Sequence, residues 1–366
     1  MVVLIKTFIR SNDMLADGII LESSLRFNRS RTCSAIYHLI SGRKSIQTVQ
    51  DSHIYQLRNL YGINRSLHKH DYDKKVAAMV SDQLLELHES MGCLVTSKGI
   101  AWLKEHNKSL KLHEFNGIMY HTSSPIFHDR LLLLIQTMSN SCNNYYSFIP
   151  INDKTPIMRW VKTIFQQLNH QRESFFQQLY KELYQLMDSF SDEEASMYVD
   201  HLSGYHHYGK STDQLAHDYD KEKIDIPFIL ERMNHSLLGN IYRDPARFPA
   251  LKMLLKDLRN NQFITNSAKQ TFQLLKENYS IEDIGQIRKL KENTVYDHIV
   301  EVALFTDNFP IIEYVSEQEH SQIMAAIKSE NTYKLKAIKE MIDRDISYFQ
   351  IRLVLATMQD AGDQHE

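Results

Sequence analysis

The sequence predicts an all-α, multi-domain protein, and three observations carry that prediction. Its 11 glycines and 7 prolines make up 18 of 366 residues, about 5% where average usage is ~12%. That is too few for the tight turns of a β-sandwich, barrel or propeller. Apolar residues recur at helical spacing in segment after segment. Short breaks rich in Ser, Asn and Asp separate those segments and offer caps to the helices that follow. With 43% hydrophobic and 24% charged residues, the composition is that of an ordinary globular chain, and the length suits roughly two to three domains.

Taken in order, Arg31 to Ile40 places Ala35, Ile36, Leu39 and Ile40 at helical spacing before the turn Ser41-Gly42-Arg43-Lys44. Ser45 caps a second helix, with Ile46, Val49, His53, Ile54 and Leu57 on one face. Val76 to Met91 predicts a third helix, and His128 to Met138 a fourth that is apolar nearly all round and hence buried. Ser139 to Thr155 lacks periodicity and marks a domain boundary. Helices resume over Ile157 to Asn169 and Arg172 to Phe190, and Ser191 with Glu194 forms a capping box for the next. Ala250 to Arg259 predicts a helix with a basic stripe, Lys252, Lys256 and Arg259, which a phosphate backbone or plain solvent would suit. Asn260 to Ser267 reads as a linker. The expected domains are a basic helical one over 1–150, a middle helical one over 151–262 and a compact helical module over 263–366.

Charge is unevenly spread. From Ser23 to Gln50 there is no acid, and the basic residues are Arg26, Arg29, Arg31, Arg43 and Lys44. Continuing to His70 adds Arg58, Arg65 and Lys69 against Asp51 alone, so this stretch carries +7 while the whole chain carries -3. A basic segment on an acidic chain is the footprint of a phosphate-facing surface; a solvated helix face balanced by acids from elsewhere is the plainer reading. Cys33, Cys93 and Cys142 lie far apart without a CxxC, so neither a disulfide framework nor a thiolate zinc site is expected, which suits a reducing cytoplasm. The apolar run Leu131 to Ile135 is far short of the ~20 residues that span a bilayer. Met1 to Arg10 lacks the apolar core of a signal peptide.

Gly204 to Ser211 (GYHHYGKS) satisfies the phosphate-loop pattern GxxxxGK[ST], but a helical segment with Asp200 and His201 precedes it instead of a strand. Two Tyr and two His fill the loop, and no apolar run ending in acids is present to hold magnesium. The match is a decoy, and no cofactor is expected. His201, His206, His207 and His217 cluster, as do His68 and His70, without a carboxylate at ligand spacing. No catalytic constellation emerges, so the chain reads as no enzyme.

The stronger signal is a helix-turn-helix. Ser267 to Lys276 is its first helix; Ser280 caps the second, with Ile281, Ile284 and Ile287 inward; Asn293 or Thr294 opens the third, with Val295, Ile299 and Val302 inward. Ile284, Gly285, Leu290, Val295 and Ile299 fall at the fourth, fifth, tenth, fifteenth and nineteenth positions of the usual unit, whereas Lys289 stands at the ninth, where glycine is common. Lys291, Asn293, Thr294, Tyr296, Asp297 and His298 are expected on the solvent side, where a groove would be read. The module over 265–357 holds eleven basic and fourteen acidic residues, a repulsive balance against phosphate, so protein contact is as good a reading as DNA contact. A fainter copy runs from Ser211-Thr212 through Leu215-Ala216 to Ile226 and Ile229, or these are simply two packed helices.

Ser280-Ile281-Glu282-Asp283-Ile284, Thr294-Val295-Tyr296-Asp297-His298-Ile299 and Ile346 to Ala356 (ISYFQIRLVLA) resemble the helix-turn-helix domain at the C-terminus of some RecQ-type helicases. Ser34 to Ser45 with Gln47-Thr48, Leu131 to Asn140 and Gly204 to Ala216 extend the resemblance, over nearly the whole chain, to the YpbB family of Firmicutes, whose gene sits beside a RecQ-type helicase gene. The resemblance implies a non-enzymatic accessory factor of a RecQ-type DNA helicase in DNA repair or recombination. The partners expected are that helicase and DNA; a stand-alone transcription regulator is the alternative. The expected nucleic-acid contacts are Arg26, Arg29, Arg31, Arg43, Lys44, Lys291, Asn293, Thr294, Tyr296 and His298.

Overall fold

The computed structural model describes residues 14–88, 92–258, 264–306 and 308–358. Among the described residues the fold is all-α apart from one two-stranded sheet. In chain order α1 (Leu15–Phe27), α2 (Cys33–Ile40), α3 (Ile46–Ile54) and α4 (Lys69–Ser81) precede a hairpin of β1 (Leu85–His88) and β2 (Gly92–Val95). Then come α5 (Ser97–Leu110), α6 (Gly117–Tyr120), α7 (Ser123–Cys142), α8 (Thr155–Leu168), α9 (Arg172–Met187) and α10 (Asp192–His201). After them run α11 (Thr212–Asp218), α12 (Asp225–Arg243) and α13 (Pro249–Met253). The last elements are α14 (Asn266–Lys276), α15 (Ile281–Arg288), α16 (Glu292–Leu304), α17 (Glu317–Glu330), α18 (Leu335–Glu340) and α19 (Tyr348–Thr357).

Several of these starts are dictated locally. Ser45 accepts a hydrogen bond from the Thr48 amide (3.2 Å) and so stops α3 from fraying. Ser191, Ser211, Ser280, Ser316 and Ser347 each form a reciprocal capping box with the Glu, Gln or Asp three residues on. No helix among the described residues is long and apolar enough to cross a membrane.

By compactness the chain divides into two units that are not consecutive segments. One comprises Met1–Ile19, Ala101–Phe115 and Tyr120–Arg259. Its core is built on α7, whose Leu131, Leu132, Leu133, Leu134 and Met138 are buried, with α9 and α12 packed on it. Charges buried there are tied down: Arg130 grips the Asp257 carboxylate with two bonds (2.6 and 2.7 Å), and Arg232 pairs with Glu194. The other unit comprises Ile20–Ile100, Asn116–Met119 and Asn260–Glu366. It joins the basic N-terminal stretch to the helix-turn-helix module: Ile46, Val49 and Ile54 of α3 pack on a core of Ile284, Val295, Ile299, Val300, Ile323, Ile351 and Val354.

Three expectations are corrected. The helix over Val76 to Met91 stops at Ser81: Asp82 caps it, Gln83 takes a left-handed φ of 60°, and Leu85–His88 pairs antiparallel with Gly92–Val95. The alternation Leu-Glu-Leu-His suits a strand as well as a helix, and pairing with a later segment decided between them. The helix from Ala250 to Arg259 ends at Met253, so Lys252 and Lys256 are exposed but form no continuous helical stripe; Arg259 lies outside the described residues. The Sγ atoms of Cys33 and Cys93 are bonded, with Cα atoms 5.3 Å apart. A separation of 60 residues leaves no spacing signature, and the hairpin alone brings the two together.

Candidate nucleic-acid interface

The turn between α2 and α3 depends on two glycines. Gly42 (φ 66°) and Gly62 (φ 70°) both adopt left-handed backbone, and a Cβ on Gly42 would lie 2.9 Å from the Gly62 Cα. Their close approach docks the loop after Tyr61 onto the end of α2, where the Gly62 and Asn64 amides donate to the Leu39 and Ile40 carbonyls (2.8 and 3.0 Å). The Tyr61 hydroxyl adds a bond to the Arg43 carbonyl (3.3 Å). Arg43, Lys44 and Arg65 are exposed on this framework. Arg43 donates to Nε2 of His38 (2.8 Å), and Lys69 lies over the rings of Tyr37 and Tyr72 (5.5 and 5.2 Å) while pairing with Asp73. Burial, then the charges of Arg43 and Lys69, hold the His38 pKa below its ordinary value, so the imidazole stays neutral and accepts from Arg43. The result is a positive pole of Arg43, Lys44, Arg65 and Lys69. Sequence reading counted all four in the basic stretch but assigned DNA contact only to the first two; the Gly42–Gly62 approach brings Arg65 beside them.

The remaining basic residues of the stretch differ in availability. Arg26 is exposed and bonded to Glu22 and Gln56 (both 2.8 Å), and Arg29 is exposed at a left-handed turn position. Arg31 is committed elsewhere: its guanidinium clasps both oxygens of buried Asp51 (2.8 and 2.6 Å) beneath the Tyr55 ring (5.4 Å). It anchors α3 and is not free to meet phosphate.

In the C-terminal module α14, α15 and α16 form the helix-turn-helix. Leu290 donates back to the Gly285 carbonyl (2.9 Å), and Lys289 sits in the left-handed conformation (φ 52°) that glycine commonly supplies at this turn. A Cβ on Gly285 would lie 3.2 Å from the Leu290 carbonyl, which is why the smallest residue stands there. Arg288 stitches α15 to α14 through the Ser267 carbonyl and hydroxyl (2.7 and 2.9 Å).

The third helix does not present the expected open face. His298 is buried, with Nδ1 bonded to the Thr271 hydroxyl (2.8 Å); burial and the nearby Arg288 charge lower its pKa. Tyr296 stacks on Phe349 of α19 (4.3 Å) and donates to Glu292. Asp297 pairs with Arg352 of α19 (2.7 Å), whose carbonyl accepts from Gln50 of α3 (2.9 Å). Val300, one turn further along, is fully buried. Only the first turn is open, with Lys291 and Asn293 exposed and Thr294 half-buried. From Tyr296 onward, α19 and α3 cover the side that would enter a groove.

The phosphate-loop pattern folds into something else. Gly204 and His207 form an isolated bridge, α10 precedes them, and Ser211 caps α11. The Lys210 ammonium is held by Asp200 and Asp218 (2.7 and 2.9 Å), and a Cβ on Gly209 would lie 2.3 Å from the His201 carbonyl. Of the clustered histidines, His201 stacks on half-buried His128 (5.3 Å) and bonds the Lys210 carbonyl (2.8 Å).

A family described as Helix-turn-helix domain matches residues 267–355, the span from α14 to the last turns of α19. Protein YpbB of Bacillus subtilis (strain 168) is 28% identical over 346 residues, 93% of this chain and 96% of that protein. No solved structure matches. The chain therefore carries a C-terminal helix-turn-helix domain, and its resemblance to the YpbB family holds along nearly its whole length.

Proposed function

We propose that this protein is a non-enzymatic, cytoplasmic accessory factor of a RecQ-type DNA helicase in repair or recombination, and that it binds DNA through the phosphate backbone without reading sequence. The observation that carries this reading is the pairing of a positive pole, exposed Arg43, Lys44 and Arg65 beside half-buried Lys69, with a helix-turn-helix whose third helix is covered beyond its first turn. Phosphate contacts position a protein on DNA, whereas base specificity needs side chains that reach the groove. Internal pairing of Lys210 and the absence of a strand before Gly204 speak against an ATPase of its own. Resemblance to the YpbB family supports the helicase partnership.

The test is the double substitution Arg43→Glu plus Lys44→Glu, read by fluorescence anisotropy on labelled duplex and forked DNA. The expected result is a loss of affinity of at least roughly tenfold with a shallower salt dependence. Unchanged affinity would remove the turn from the interface. A stand-alone transcription regulator is the second reading, favoured by the exposed Lys291 and Asn293 at the start of α16, where helix-turn-helix proteins contact base edges. That reading requires one preferred duplex in a sequence-selection experiment, lost in Asn293→Ala.

A further inference from the structure

We propose that Cys33 and Cys93 are a redox modification site, a dithiol that closes to a disulfide and locks the β1–β2 hairpin onto the start of α2. The geometry is already that of a bridge: the sulfurs are bonded, and the Cα separation of 5.3 Å lies within the ordinary disulfide range. The surrounding backbone is built for close approach. Gly92, with φ 77°, abuts the 31–32 segment so tightly that a Cβ there would lie 2.3 Å from the Arg31 carbonyl. On the opposite side the Tyr72 hydroxyl donates to the Cys33 carbonyl (2.8 Å), so α4 holds the same residue.

The two cysteines are not equivalent. Cys33, the first residue of α2, is partly exposed, whereas Cys93 is only 4% exposed. Cys33 is therefore the attacking sulfur and Cys93 the resolving one. The co-reactant is a disulfide, either glutathione disulfide or that of a thiol-disulfide oxidoreductase. The Cys33 thiolate attacks one of its sulfurs, forming a mixed disulfide and releasing one thiolate. Cys93 then loses its proton and attacks the Cys33 sulfur, expelling the second. Two protein thiols are oxidised, one disulfide is reduced to two thiols, and the protons pass to solvent or to the released thiolates. In a reducing compartment the pair rests as thiols and closes when that poise changes.

The test uses the full chain with Cys142→Ser, because Cys142 is exposed and outside the pair. Glutathione disulfide is the probe, and alkylation, peptide mapping and thermal melting are the readouts. The expected results are two alkylatable thiols before oxidation and none after, a single crosslinked Cys33–Cys93 peptide, and a melting temperature raised by roughly 5–15 °C. Adding Cys93→Ser should trap glutathione on Cys33 with no change in melting, whereas Cys33→Ser should leave Cys93 unmodified. Two thiols still alkylatable after oxidation would overturn the proposal. So would a crosslink that leaves the melting temperature where it was.

Discussion

The His53 ring lies in the layer where α3 meets the helix-turn-helix core, edge-on to Phe305 with centroids 4.9 Å apart. Burial, aided by the charge of Arg58, lowers its pKa to about 3. A histidine kept neutral in the fold but free to take a proton when unfolded stabilises the native state fully above its unfolded value of 6.5. That stability drains away as pH falls from there toward about 3. At pH 5 the loss is about 2 kcal/mol relative to pH 7, and His53→Leu should flatten that part of a denaturation series; parallel curves for the two proteins would contradict it. Arg31 and Arg29, two residues apart, separate structure from function. Arg31→Ala leaves the Asp51 carboxylate buried without its partner and should cost about 3–5 kcal/mol of stability by denaturant titration. Arg29→Ala should change stability by less than about 0.5 kcal/mol. Both arginines look alike in a charge count; burial and the pairing of residues 20 apart tell them apart, and neither is written in the local sequence. His298 shows the same limit, because helical periodicity placed it outward while Thr271 and Arg288 hold it inside.

At the scale of elements, what is local was legible. Serine caps set the starts of α3, α10, α11 and α15, and apolar spacing placed those of α14 and α16 within a residue or two of where they lie. Non-local choices were not legible: Leu85–His88 formed a strand where the spacing read as helix, and α19 and α3 closed over the side of α16 expected to be open. The turns offer direct checks. Lys289 holds a left-handed conformation that costs an ordinary residue about 1 kcal/mol relative to glycine. Lys289→Gly should therefore raise the denaturation midpoint, and a lower midpoint would mean the lysine side chain contributes more than its backbone costs. Gly42→Val meets both a left-handed φ and the Gly62 backbone at 2.9 Å. It should destabilise by at least about 2 kcal/mol and weaken DNA binding together with it. Val300→Glu should likewise unfold the module, read as loss of the cooperative thermal transition, because Val300 is core and not a groove contact.

For the molecule as a whole, the acidic balance of the chain and its basic pole have to be weighed together. With net charge -3, long-range attraction to DNA is weak, so the proposed DNA binding requires a few phosphates met at short range by Arg43, Lys44, Arg65 and Lys69. The helix-turn-helix module then serves as the core on which α3 and the turn preceding it are mounted. The proposed helicase partnership predicts that the purified protein co-elutes with a RecQ-type helicase encoded by the same organism; two separate peaks at micromolar concentrations would argue against it. The most direct measurement is the binding constant for two duplexes of unrelated sequence and equal length over a salt series. The account predicts equal affinities for both and a straight fall of log affinity with log salt, of slope about -2 to -4 for roughly two to four phosphates. A marked preference for one duplex, or an affinity that ignores salt, would contradict it.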